Sequence, residues 1–237
     1  KKETAEFQSL LYQTLQAETT SANGENKPIG AQVGLGVRNS SVTSRFTQGN
    51  LNQTGNSFDF AIDGEAFFQV MDADGETYYT RNGAFMLTTA VGGVMLTDKD
   101  GRPVLDEGGS EIIFDSDMDL SQVSVSTNGE VCFPDATNNP MPSGIKLGLI
   151  RFANPAGLEK RGSGLYSVSD ASGEAVLESD MQNVKKSSLM QGYIEGSNVQ
   201  VVDEMVDLIV AQRAYEMNSK AIQAADDMMS QANNLRR

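Results

Sequence analysis

Apolar positions along this 237-residue chain follow three successive rhythms. In the first, Thr4 to Ala17 sets Phe7, Leu10, Leu11 and Leu15 at helical spacing, which predicts a short amphipathic helix. The polar stretch "AETTSANGENKPIG", Ala17 to Gly30, carries Gly24, Pro28 and Gly30 and reads as a surface loop.

The second rhythm begins near Gln32. "VGLGVRNSSVTSRF" is extended and broken by glycine. Beyond it, Phe58, Phe60 and Ile62 alternate onto one face, and Phe68 and Val70 continue the alternation after a turn at Asp63-Gly64. Asp74-Gly75, Asn82-Gly83, Asp100-Gly101 and Asn128-Gly129 each sit between apolar runs. Such pairs favour the positive φ of tight hairpins, so a meander of antiparallel strands is predicted. Further strands are expected at Glu111–Phe114, Gln122–Ser126, Glu130–Phe133, Lys146–Phe152 and Leu165–Val168.

The third rhythm is helical. Ser197 and Gln200 have the spacing of a capping box, and neither Gly nor Pro occurs after Gly196. A helix from Val199 to Leu235 would be roughly 50 Å long. Stepping by three and four residues picks out Leu208, Ala211, Tyr215, Asn218, Ile222, Ala225, Met229 and Ala232, a heptad seam with one polar interruption. Ala214, Ala221, Met228 and Leu235 widen it. Arg213, Glu216, Lys220, Gln223, Asp227, Gln231 and Asn234 lie opposite. The many alanines let another helix approach closely, so the seam is a candidate assembly interface. An ordinary helix packed on its own β domain is the plainer alternative.

These rhythms predict a mainly β fold with terminal helices, of α+β class. A barrel-like antiparallel central domain at 58–180 would be flanked by a short N-terminal helix with an extended linker segment (1–57). A return segment and a long C-terminal coiled-coil helix would complete the chain (181–237).

Composition narrows the chemistry. The net charge of −14 repels phosphate backbones, which argues against a nucleic-acid partner. One cysteine and no histidine exclude an intrachain disulfide and the usual zinc and copper ligand sets. They also exclude Ser-His-Asp and Cys-His nucleophiles. Cys132, inside "EVCFP", reads as a small buried hydrophobe. Asp72-Ala-Asp74-Gly75 and Asp98-Lys-Asp100-Gly101 lack the spacing of a calcium loop and read as turns. "DSDMD", Asp115 to Asp119, reads as a solvated acidic loop. "GLG", Gly34 to Gly36, is too short for a dinucleotide fingerprint. No catalytic residue, cofactor, metal site or small-molecule substrate is expected.

Two long stretches carry a resemblance. "QGNLNQTGNSFDFAIDGEAFFQV", Gln48 to Val70, and "GYIEGSNVQVVDEMVDLIVAQRAYEMNSKAIQAADDMM", Gly192 to Met229, resemble the bacterial flagellar rod and hook family. The polar segment within Leu10 to Arg38 resembles an insert that the family's distal-rod members carry and its hook members lack, associated there with a straight rod. The resemblance implies a structural subunit that leaves the cell through the flagellar type III export apparatus. It would polymerise helically with its own copies, meet neighbouring rod and hook proteins, and transmit torque in the basal body. Family members begin with an amphipathic helix that pairs with the C-terminal one. This chain starts at Lys1-Lys2, so the expected pairing helix would precede Lys1. The rival classes are a secreted β-rich module that binds a ligand in an aromatic-lined pocket, and a hydrolase using paired carboxylates.

Overall fold

A computed structural model describes residues 1–16, 31–115, 118, 120–134, 139–182 and 184–234. It is mainly β with a single α-helix among the described residues, and these fall into two compact units, Lys1–Gly196 and Ser197–Arg237. The expected loop Ala17 to Gly30, most of the Asp115 to Asp119 cluster and Leu235 lie outside the described residues.

The centre of the first unit is a six-stranded antiparallel sheet. Its strands run, side by side, Glu159–Gly162, Leu165–Ser167, Thr77–Thr80, Phe67–Met71, Leu149–Arg151 and Val176–Leu177. Both faces of the strand Phe67–Met71 are covered. Phe68 and Val70 enter a large cluster with Phe60, Ile62, Phe85, Leu96 and Leu147. Phe67, pointing the other way, enters a second cluster with Tyr79, Ile150, Phe152 and Tyr166. Aromatic edges meet faces here, as in Tyr79 against Phe152 at 4.9 Å between centroids and Phe68 against Phe85 at 5.1 Å. The expected alternation of Phe58, Phe60, Ile62, Phe68 and Val70 therefore describes one core. The second core, on the other face, explains why Phe67 is fully buried too.

The turns follow the expected chemistry with one exception. Gly75, Gly101 and Gly129 all adopt positive φ between paired strands. Asn82-Gly83 is different. A Cβ on Gly83 would sit 1.7 Å from the Phe60 carbonyl oxygen. That carbonyl belongs to a chain segment bonded to it, since the Phe60 N–H donates to the Gly83 carbonyl at 2.9 Å. Glycine is needed there for close backbone approach and not for a hairpin.

Two expectations of architecture are corrected. The sheets of the described residues are open, in linear strand orders, and no barrel closes among them. The N-terminal helix is absent as well: Lys2–Ser9 and Tyr12–Gln16 are strands, β1 and β2, pairing antiparallel with Val37–Arg45 (β4) and Ala31–Gly34 (β3) respectively. The spacing of Phe7, Leu10 and Leu11 suits a helix only while the partner strand is ignored. Once β4 supplies backbone hydrogen bonds, the alternation Ala5, Phe7, Ser9 governs. A short run of apolar residues is ambiguous between the two periods.

The second unit is α1, Val201–Asn234. Asp203 and Glu204 stand in its first turn, where carboxylates favour the positive end of the helix dipole. Its start differs from the expected capping box. The Val199 N–H, not that of Gln200, donates to the Ser197 hydroxyl at 3.1 Å, and the first helical bond runs from the Glu204 N–H to the Gln200 carbonyl. Ser197 closes a turn just ahead of the helix.

Candidate assembly surfaces

All eight predicted seam residues lie on α1, and all are exposed. Tyr215 is 78% accessible, Ile222 71%, Met229 67% and Leu208 59%. No residue of α1 is buried. Water around so many large apolar groups is costly, at about 25 cal/mol per Å² of apolar surface. A contiguous apolar stripe of this kind marks an interaction surface.

At about 100° per residue the helix carries two apolar faces instead of one. Over its first ten residues, Val201, Val202, Met205, Val206 and Ile209 share one side and Asp203, Glu204 and Asp207 occupy the other, with Leu208 at the boundary and Val210 toward the acidic side. From Ala211 onward the arrangement inverts. Ala211, Ala214, Tyr215, Ala221, Ile222, Ala225, Met229 and Ala232 continue the side of the acidic trio. Arg213, Glu216, Lys220, Gln223, Asp227, Gln231 and Asn234 continue the side of the valines. The two apolar centres are roughly 170° apart. Supercoiling shifts a heptad seam by only about 20° per heptad, so it accounts for about 50° over this distance. One straight partner cannot cover both faces. From Ala211 onward the single seam expected from heptad stepping runs along the lower of two exposed apolar faces, and the upper face is missed because its residues fall off that register.

The N-terminal ribbon offers a third apolar surface. In the β1–β4 register, Ala5 faces Val42 and Ser9 faces Val37, with Phe7 on the same side; a bulge between Glu6 and Phe7 preserves the alternation. Phe7, Val37 and Val42 are all more than half exposed. The reverse side is polar and cross-linked: Glu6 accepts from the Ser41 and Thr43 hydroxyls, and Arg38 donates to Gln8. A two-stranded ribbon is marginal on its own in water, and this one leaves an apolar side exposed.

The acidic motifs are tied up locally. Arg102 reaches from one Asp-Gly turn to the other, bonding Asp72 at 3.1 Å and Asp100 at 2.8 Å, with Asp98 at 3.5 Å. Its guanidinium supplies the positive charge that a cation would have brought, and hydrogen bonds to Asp100 and Asp72 raise its own pKa against the opposing effect of burial. No group of three or more metal-ligating side chains occurs among the described residues. Cys132 is buried, and that burial pushes its thiol up. Among the described residues no helix is long and apolar enough to cross a membrane.

Comparison with known proteins matches part of each unit to a family and nearly the whole chain to individual relatives. Residues 190–235 match the family description "Flagellar basal body rod FlgEFG protein C-terminal", and residues 61–133 match "Flagellar hook protein FlgE/F/G D1 domain". The flagellar basal-body rod protein FlgG of Agrobacterium fabrum is 40% identical over 233 residues, covering 97% of this chain and 85% of its own. FlgG of Borreliella burgdorferi is 37% identical over 239 residues, with 100% and 87% covered. FlgG of Bacillus subtilis is 32% identical over 237 residues, again with 100% and 87% covered.

Proposed function

Because the chain belongs to the FlgG family of flagellar basal-body rod proteins, we propose that α1 and the N-terminal ribbon are the surfaces through which it builds a distal rod. The protein is a structural subunit of the basal-body rod. In our reading it catalyses nothing, and its partners are other copies of itself and the adjoining rod and hook proteins, reached after passage through the export apparatus.

The observation that carries this reading is the exposure of α1 along both apolar faces. A subunit in a helical array uses different patches toward different neighbours, a heterologous arrangement that does not close on itself. Opposed faces at two heights suit such an array, because each copy is gripped from two sides. Torque then passes through packed seams and needs no moving part. The small side chains Ala211, Ala214, Ala221, Ala225 and Ala232 favour another helix on the lower face, since they permit close axial approach.

The test is made in a motile strain carrying the full-length protein. Ile222→Asp with Met229→Asp removes the lower face, and Val202→Asp with Val206→Asp removes the upper one. Each pair alone is expected to abolish swimming and leave basal bodies without a distal rod, while the β unit within the purified variant chain unfolds at its normal denaturant midpoint. Normal rods from either variant would refute the two-sided reading.

A further inference from the structure

Three charged side chains are buried together at the edge of the first unit, and rod assembly as described above does not employ them. The Glu195 side chain is 4% exposed, that of Arg81 6% and that of Lys1 8%. Charges this deep survive only when paired and fully hydrogen-bonded. Here they are: Arg81 Nε donates to Glu195 Oε2 at 3.0 Å, and Lys1 Nζ donates to Glu195 Oε1 at 2.5 Å. The Gly49 N–H completes the carboxylate at 2.8 Å. The surplus donors have partners as well. Arg81 Nη1 and Nη2 reach the Ala66 and Gly64 carbonyls, its guanidinium lies 5.6 Å from the centre of the Phe67 ring, and Lys1 also donates to the Thr47 carbonyl.

The connectivity is informative. Lys1 immediately precedes β1, and Glu195 ends the strand Tyr193–Glu195, two residues before the second unit begins. Arg81 follows the central strand Thr77–Thr80. One carboxylate thus joins the passage into the ribbon, the middle of the core sheet and the passage out toward α1. Lys1 and Glu195 are 194 residues apart in the chain.

We infer that Lys1, Arg81 and Glu195 form a clasp that couples the two chain passages at this edge, so that the base of the ribbon and the strand leading to α1 are held or released together. One carboxylate serves two cations, so its loss strands two like charges in a dry site. Release is therefore cooperative instead of local.

Hydrogen exchange on the full chain tests this directly. In Glu195→Gln, amides of Lys2–Glu6 and of Tyr193–Glu195 are expected to exchange at least tenfold faster, with Phe67–Met71 unchanged. Acceleration confined to one passage would overturn the clasp. Should Glu195→Gln fail to fold, Lys1→Met decides, because Met keeps the aliphatic stem while removing one cation. The clasp then predicts at least threefold faster exchange at Tyr193–Glu195 as well as in β1. Unchanged exchange at Tyr193–Glu195 would overturn it.

Discussion

The strand Phe67–Met71 and the helix α1 are both rich in large apolar residues, yet they treat water in opposite ways. Phe68 is wholly buried between strands of its own chain, whereas Tyr215 and Ile222 stand open along the helix. The first region meets its hydrophobic requirement within the molecule. The second leaves it unmet among the described residues. The same residue types thus close a core in one region and stand open to water in the other.

The sharpest way to separate them is truncation on each side. Phe68→Ala should cost roughly 3–5 kcal/mol of stability by chemical denaturation, because it empties a filled site in the larger core. Gly83→Ala comes next. Its Cβ collides with the Phe60 carbonyl, and a forced backbone shift of this kind costs roughly 1–3 kcal/mol or more. Both changes should leave the helical signal of α1 in circular dichroism intact at temperatures where the β unit remains folded.

Acid gives a smaller, graded effect on the first region alone. Burial pushes the Glu195 carboxyl up, but the Gly49 N–H, Lys1 and Arg81 together outweigh it and hold the group below its ordinary value of 4.5. A carboxylate with a lowered folded pKa stabilises fully above its unfolded value and loses that contribution as pH falls through the folded one. Denaturation midpoints should therefore hold down to about pH 4.5 and decline below it. In Glu195→Gln the decline should be shallower. Lys1 differs from its partner in this cluster: burial and the nearby Arg81 pull its ammonium down despite Glu195. Burial is the largest influence on both groups; for Glu195 the Gly49 N–H and two cations overcome it, whereas for Lys1 the single anion does not overcome burial and the second cation. The smallest effect belongs to the helix. Tyr215→Ala should change the stability of the unassembled chain by no more than about 0.5 kcal/mol, while weakening rod assembly in sedimentation or motility assays.

Much of the first region was legible in the pattern of residues. Period-two alternation around Phe60 and Phe68, and Asp-Gly pairs at Gly75 and Gly101, depend on neighbours a few positions away. The ribbon was not legible, because its pairing joins Lys2 to Arg45 and converts an apparently helical spacing into strands. The lower face of α1 follows from heptad stepping. Its upper face does not, because a template that follows one seam ignores residues on the reverse side. Buried charges such as Arg81 and Glu195 leave no periodic trace at all; only their partners in space distinguish them from the other charged residues of an acidic chain.

The bond between Lys1 and Glu195 also bears on the order of events in folding. Closing a loop of 194 residues as a first step would cost roughly 5 kcal/mol in chain entropy. That exceeds what the contact returns on its own. The hairpins and the aromatic sheet must form beforehand and bring the distant residues within reach. The clasp is consequently a late event, complete only when every intervening strand has found its place, and its formation reports that the β unit is whole.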